Sequence, residues 1–135
     1  MATILVVDDN AKVREFLVES LTHSGHQVVT TGHGREAVEL VRTHSAQLVI
    51  TEIIMPEKDG IEVIHELRQV FPNLKVIAIS GGGRSDPANY LRSALLLGAD
   101  RVLAKPFGNS ELCAMVDQLL AEAEMQRSVR KSREA

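Results

Sequence analysis

Five short runs of β-branched and aliphatic residues alternate with five amphipathic stripes, and this alternation constrains the fold more than any other feature of the chain. The runs are Ile4–Val7, Val28–Thr30, Leu48–Ile50, Val76–Ile79 and Val102–Ala104. Most are too short for helices, and their near-continuous apolar character suits strands of a parallel sheet covered on both faces. The stripes are Val13, Phe16, Leu17 and Leu21; Ala37, Leu40 and Val41; Val63, Ile64, Leu67 and Phe71; Leu91, Ala94 and Leu95; and Leu112, Met115, Val116, Leu119, Leu120 and Ala123. Each fits one face of a helix. Breakers fall between elements at Gly25, Gly32, Gly34, Pro56, Gly60, Pro72, Gly81–Gly83 and Gly98.

The order βαβαβαβαβα with right-handed crossovers predicts an α/β fold, a doubly wound five-stranded parallel sheet. The first, third and fourth runs are the most apolar and belong in its centre. Gln27, Thr30 and Thr31 flank the second run and Arg101 and Lys105 the fifth, as at sheet edges. The expected strand order is therefore 2-1-3-4-5. Ligands of such sheets bind beyond the carboxyl ends of the strands, near the switch point.

The chain of 135 residues suits one domain with its own core. One cysteine excludes an internal disulfide framework. No apolar run approaches the roughly 20 residues that span a bilayer, and MATILVVDD lacks the features of a signal peptide. A soluble cytoplasmic domain without a membrane partner is expected. Residues 1–125 hold 11 basic and 17 acidic side chains, a net of −6, whereas residues 126–135 hold Arg127, Arg130, Lys131 and Arg133 against Glu134. Nucleic acid is an unfavoured partner for so acidic a body. The expected division is a domain over 1–123 and a basic C-terminal tail over 124–135. That tail reads either as a solvated, fraying terminus or as a contact with nucleic acid, membrane or protein.

Chemistry-bearing residues collect at the strand ends. Strand 1 ends in Asp8 and Asp9, strand 3 in Glu52 and strand 4 in Ser80; Lys105 follows strand 5. In the expected order these four strands are neighbours, so three carboxylates, a hydroxyl and an ammonium share one crevice. Like charges so close repel. A hard cation such as Mg²⁺ relieves that repulsion, since it takes one or two carboxylates together with waters. With Lys105 and Ser80 beside it, such a cation would bind a phosphoryl group.

LVVDDN, VITEIIMPEKDG, IAIS and GADRVLAKPF resemble the motifs of the response-regulator receiver domain, the chemotaxis-regulator-like, flavodoxin-like (βα)5 fold, and the likeness covers residues 2–122. The resemblance implies a phosphoacceptor aspartate that takes its phosphoryl group from a histidine kinase or phosphotransfer protein, with Mg²⁺ required. It assigns Asp8 and Asp9 to the acidic metal pair, Asp9 the more direct ligand, and the Ile54 backbone carbonyl to the same metal. Ser80 becomes the switch hydroxyl and Lys105 the partner of the phosphoryl group. Lys105-Pro106 matches a pair whose peptide bond is commonly cis in the family. The implied output is protein–protein contact with a target through the face of helix 4, strand 5 and helix 5. No enzyme activity is implied beyond the family's self-dephosphorylation.

The chain departs from the family in three places. Glu52 stands at the phosphoacceptor position, its carboxylate carried outward by roughly 1.5 Å, one carbon–carbon bond. That makes it a metal ligand and a partial mimic of a phosphorylated aspartate, but a misplaced acceptor. Val102 stands where the family has an aromatic switch residue. The segment Gly81–Pro87 is longer than usual, with Ser85 or Asp86 as caps for the next helix. The expected function is a stand-alone, Mg²⁺-binding receiver of a two-component or phosphorelay system, phosphomimetic or phosphorylation-deficient at Glu52. The alternatives are a phosphorylation-independent pseudo-receiver scaffold or a receiver fragment of a longer regulator.

Other residues carry less. His23, His26, His33, His44 and His65 read as surface or helix-end histidines. Cys113 reads as a small, partly buried thiol. Ser80 lacks the glycine of a nucleophile elbow, and Asp8-Asp9-Asn10 would repel the phosphate of a flavin.

Overall fold

The computed structural model describes residues 1–55, 58–81 and 87–134. Strands β1 (Thr3–Val7), β2 (Gln27–Thr31), β3 (Leu48–Glu52), β4 (Lys75–Ser80) and β5 (Arg101–Ala104) form one parallel sheet in the order β2-β1-β3-β4-β5. This is the order expected from the apolar runs. The strands outrun those runs by a residue or two because polar end residues still pair, as in Thr3↔Gln27, Glu52↔Ile79 and Ser80↔Ala104.

Five helices cover the sheet: α1 (Ala11–His23), α2 (Ala37–His44), α3 (Gly60–Val70), α4 (Pro87–Leu96) and α5 (Asn109–Glu134). A 3-10 turn, Gly34–Glu36, precedes α2. One core layer joins Leu5, Val49 and Ala78 of the sheet to Val41, Ile64, Leu67 and Ala94. The other joins Ile4, Ile50 and Ile79 to Leu17 and Leu21 of α1 and to Leu112, Val116 and Leu119 of α5. Each fully buried leucine or isoleucine contributes about 1.5–3 kcal/mol relative to exposure.

Several local expectations change. Gly60 does not separate elements but heads α3, where the Asp59 side chain caps the helix by accepting the Glu62 N–H at 3.0 Å. Phe71 ends that helix as its C-cap. In α4, Ala94 is buried but Leu95 is 47% exposed, since successive residues of a helix point about 100° apart. His23, His33, His44 and His65 are exposed, whereas the His26 ring is mostly enclosed and its Nδ1 accepts the Ala2 N–H at 3.2 Å. The contact of the His26 ring with the N-terminal Ala2, in a loop whose Ser24 and Gly25 are exposed, accounts for that difference. The Ser85 and Asp86 caps lie outside the described residues. The basic residues after 123 are helical: α5 continues through Glu134, 26 residues in all, a length of about 39 Å.

Candidate functional site at the carboxyl ends of the strands

Strand register assembles the site. Val7 pairs with Thr51, which sets Asp8 beside Glu52 at the ends of β1 and β3. Ser80 pairs with Ala104, which leaves Lys105 one residue beyond, its N–H donating to the Ser80 carbonyl at 2.9 Å. Side chains alternate between the faces of a sheet. Asp8, Glu52 and Lys105 share parity with Val6, Ile50 and Leu103, which face α1 and α5. Ser80 has the parity of Val76 and Ala78, on the opposite face.

The Lys105 ammonium lies 2.7 Å from Glu52 Oε2 and 3.3 Å from Asp8 Oδ2. Asp8 is fully buried and Glu52 is 4% exposed. Among the described residues the Lys105 ammonium is the one polar partner of the buried Glu52 Oε2. Glu52 Oε1 accepts the Ile54 N–H at 3.3 Å. Asp9 is exposed at the mouth of the crevice and makes no polar contact with the described residues. Ser80 is fully buried, and its Oγ has no hydrogen-bond partner among the described residues. Of the five side chains singled out in the sequence, the fold thus joins Asp8, Glu52 and Lys105 directly. Lys105-Pro106 is cis, as the resemblance implied, and Val102 is partly buried against the α2, α3 and α4 layer.

The supporting roles of four residues escaped the sequence reading. Asn10 caps α1, its side chain accepting the N–H groups of Lys12 and Val13, while its own N–H donates to Asp8 Oδ1 at 2.8 Å. An asparagine just before an amphipathic stripe is the readable signal for such a cap. Arg14 donates from Nη1 to the Asp8 carbonyl at 2.6 Å; nothing in its sequence setting marks it. Gly60 packs where a Cβ would strike the Glu52 and Ile53 backbone, and a Cβ at Gly81 would strike Lys105. Both positions permit a backbone approach that only glycine allows.

Burial raises the Glu52 carboxyl above its ordinary value of 4.5; Lys105 opposes the rise and the Asp8 charge adds to it. Burial by itself pulls the Lys105 ammonium down, but Glu52 and Asp8 outweigh it and hold the group above 10.5. Just above pH 4.5 the folded protein therefore holds more of the Glu52 proton than the unfolded chain does. Stability from this group is full below 4.5 and declines as pH rises through the folded-state value. Lys105 loses its contribution only above 10.5, outside that window. Glu52→Gln, which has no proton to lose, should gain stability relative to the native chain as pH rises upward from 4.5. Urea midpoints across that range measure it. A constant difference would show that burial does not dominate at Glu52.

A doubly wound parallel sheet with carboxylates gathered around one ammonium at its switch point defines a class, the α/β modules that bind their ligands beyond the strand ends. The family model of the response regulator receiver domain matches residues 4–117, and the chain belongs to that family, the receivers of two-component systems. It is 37% identical over 117 residues to the response regulator MprA of Mycolicibacterium vanbaalenii, covering 87% of this chain and 49% of that protein. It is 34% identical to the DNA-binding transcriptional regulator NtrC of Azospirillum brasilense, covering 88% of this chain and 24% of that one. The chain thus spans about half, or less, of the length of these relatives. Among solved structures, NtrX of Brucella abortus superposes with a TM-score of 0.88 at 28% identity, over 96% of this chain and 29% of that one. A response regulator of Chloroflexus aurantiacus superposes at 0.81 and 28% identity, over 89% of this chain and 98% of that one. Among the described residues, no helix is long and apolar enough to cross a membrane.

Proposed function

We propose that this receiver binds Mg²⁺ at Asp8, Asp9 and Glu52, forms an acyl phosphate poorly, and is biased by Glu52 part-way toward its active-like form. The observation that carries this reading is the Lys105 ammonium held between Glu52 Oε2 and Asp8 Oδ2. Lys105 is the group that would pair with a phosphoryl group, and here a carboxylate engages it already. An ion pair of this kind is worth on the order of 1 kcal/mol when partly screened. That energy changes a ratio of states about five-fold, against the roughly 5.5 kcal/mol of a complete switch. Val102 weakens the coupling further, having no ring to exchange between buried and exposed positions.

The donor set fits a hard cation. It consists of oxygens only, and two of the carboxylates are buried. Among the described residues no group of three His, Cys, Asp or Glu side chains could hold a metal ion by itself, so the proposed ion would complete its coordination with waters. When bound, Mg²⁺ neutralises charge on a phosphoryl group. The chain's own residues do the rest: Asn10 and Arg14 hold Asp8, and Lys105 supplies the fixed positive charge. A histidine kinase or phosphotransfer protein is the expected donor. The target face is α4, β5 and α5, where Leu95, Leu96 and Leu97 of the α4 region are exposed.

Melting with Mg²⁺ at fixed ionic strength tests the metal. At ten times the dissociation constant the stabilisation should be about 1.4 kcal/mol, and Asp9→Asn should remove most of it. A melting curve indifferent to Mg²⁺ overturns the metal assignment. Acetyl phosphate labelling of the native chain beside Glu52→Asp tests the acceptor.

A further inference from the structure

The face of α5 that buries Leu112, Val116 and Leu119 continues at steps of three and four through Ala123, Gln126, Arg127 and Arg130. It changes from apolar to cationic where the helix passes the amino-terminal edge of the sheet. There α5 overhangs the turn between α3 and β4, enclosing a groove of about 610 Å³. One wall carries Val41, Val70, Phe71 and Leu74; the other carries Arg127, Arg130 and Lys131. A second cleft of about 450 Å³ adjoins it, with Lys75, Met125, Val129 and Arg133 on its walls.

The charges on the walls point to an anionic occupant. Among the described residues, the one carboxylate lining either cleft is Asp100, already held by Arg68 Nη2 at 2.9 Å. Arg127, Arg130, Lys131 and Arg133 line the two clefts against it. The apolar wall narrows the chemistry further. Val70 is 42% exposed, Met125 70% and Val129 46%, so aliphatic surface and cations alternate across the cleft. A nucleic-acid backbone offers uniform charge and no aliphatic groups, and the net −6 of residues 1–125 would repel the remainder of a duplex.

We propose that this cleft docks an acidic amphipathic segment of a partner protein. Its aliphatic side chains lie on Val70, Phe71 and Met125, and its carboxylates meet Arg127, Arg130 and Lys131. This is helix-in-groove recognition with charge setting the register. The cleft lies at the opposite end of the sheet from Glu52, and the proposal does not depend on the chemistry there.

Fluorescence anisotropy with the full chain tests it, using a labelled helical peptide of repeated Leu-Glu-Glu-Leu-Leu-Glu-Glu. A peptide with lysine in place of glutamate, a labelled DNA duplex and phosphatidylserine vesicles are the comparisons. The acidic peptide should bind saturably and the lysine peptide should not. Arg127→Glu with Arg130→Glu should weaken binding at least about ten-fold, and Val70→Ser should weaken it too. The neutral pair Arg127→Gln and Arg130→Gln gives a second reading if charge reversal frays α5, as circular dichroism would reveal. Binding of the acidic peptide that ignores all of these substitutions overturns the proposal, as does failure of that peptide to bind. Tighter binding of the duplex or the vesicles, lost on the same substitutions, would assign the cleft to nucleic acid or lipid and equally overturn it.

Discussion

With acetyl phosphate and Mg²⁺, the Glu52→Asp protein should acquire an acyl phosphate at least about 100-fold faster than the native chain. The expectation rests on distance. Glutamate carries its carboxylate one carbon–carbon bond further than aspartate, about 1.5 Å, and a misplacement of about 1 Å can cost a factor of roughly 100. The other parts need no repair: Asp8 is buried and held by the Asn10 N–H, and Lys105 lies within ion-pair distance of both Asp8 and position 52. Shortening the side chain also withdraws the carboxylate from Lys105 and frees the ammonium for the incoming phosphoryl group. Labelling is read by intact-protein mass and by loss of the label in hydroxylamine. If Glu52→Asp stays unlabelled, the reading of this crevice as a competent phosphoryl-transfer site is wrong.

Gly60→Ala should destabilise the domain by about 3 kcal/mol, the upper part of the range for overpacking. For a domain of this size that lowers the melting temperature by about 10 °C. The added Cβ would meet the Glu52 carbonyl oxygen and the Ile53 Cα. These are backbone atoms, and no rotamer change clears them. The start of α3 must move away, at the expense of the 2.7 Å hydrogen bond from the Gly60 N–H to the Ile53 carbonyl. Because the collision is with the backbone of residue 52, the same change placed in Glu52→Asp should also slow labelling. Gly108→Ala is the control: a Cβ there meets nothing within 4 Å, and the expected change is within about 0.5 kcal/mol. A Gly60→Ala protein that melts with the control would contradict the close approach of α3 to β3.

Much of the molecule is legible before folding is considered. Hydrophobic period and length separate strand from helix: Ile4–Val7 and Val76–Ile79 are short, β-branched and evenly apolar, as covered strands are, and Leu112, Val116 and Leu119 share a face in a helix. Polar flanks mark β2 and β5 as edges. Once the order 2-1-3-4-5 follows, Asp8, Glu52 and Lys105 all fall at the carboxyl end of the sheet, after β1, at the end of β3 and after β5. The family motifs name the same residues independently.

Other features belong to tertiary structure alone. Ser80 also ends its strand, yet strand parity turns it to the face opposite Glu52, and parity depends on where the ladder starts. Leu95 continues the α4 stripe in the sequence but lies outward, because only packing decides which part of a broad apolar arc meets the sheet. Arg14 reaches the Asp8 carbonyl from a helix whose rotation is set by Leu17 and Leu21 beneath it. Gly60 punctuates in one dimension and permits contact in three. The basic residues after 123 show the same limit. Their charge is written in the sequence, but their placement over Val70 and Phe71 follows from α5 continuing straight past the edge of the sheet. Local pattern determines which elements form and in what order, since hydrophobic period and chain connectivity are properties of the sequence itself. Which atoms meet across those elements is decided by register, helix rotation and close approach, which exist only once the layers have packed.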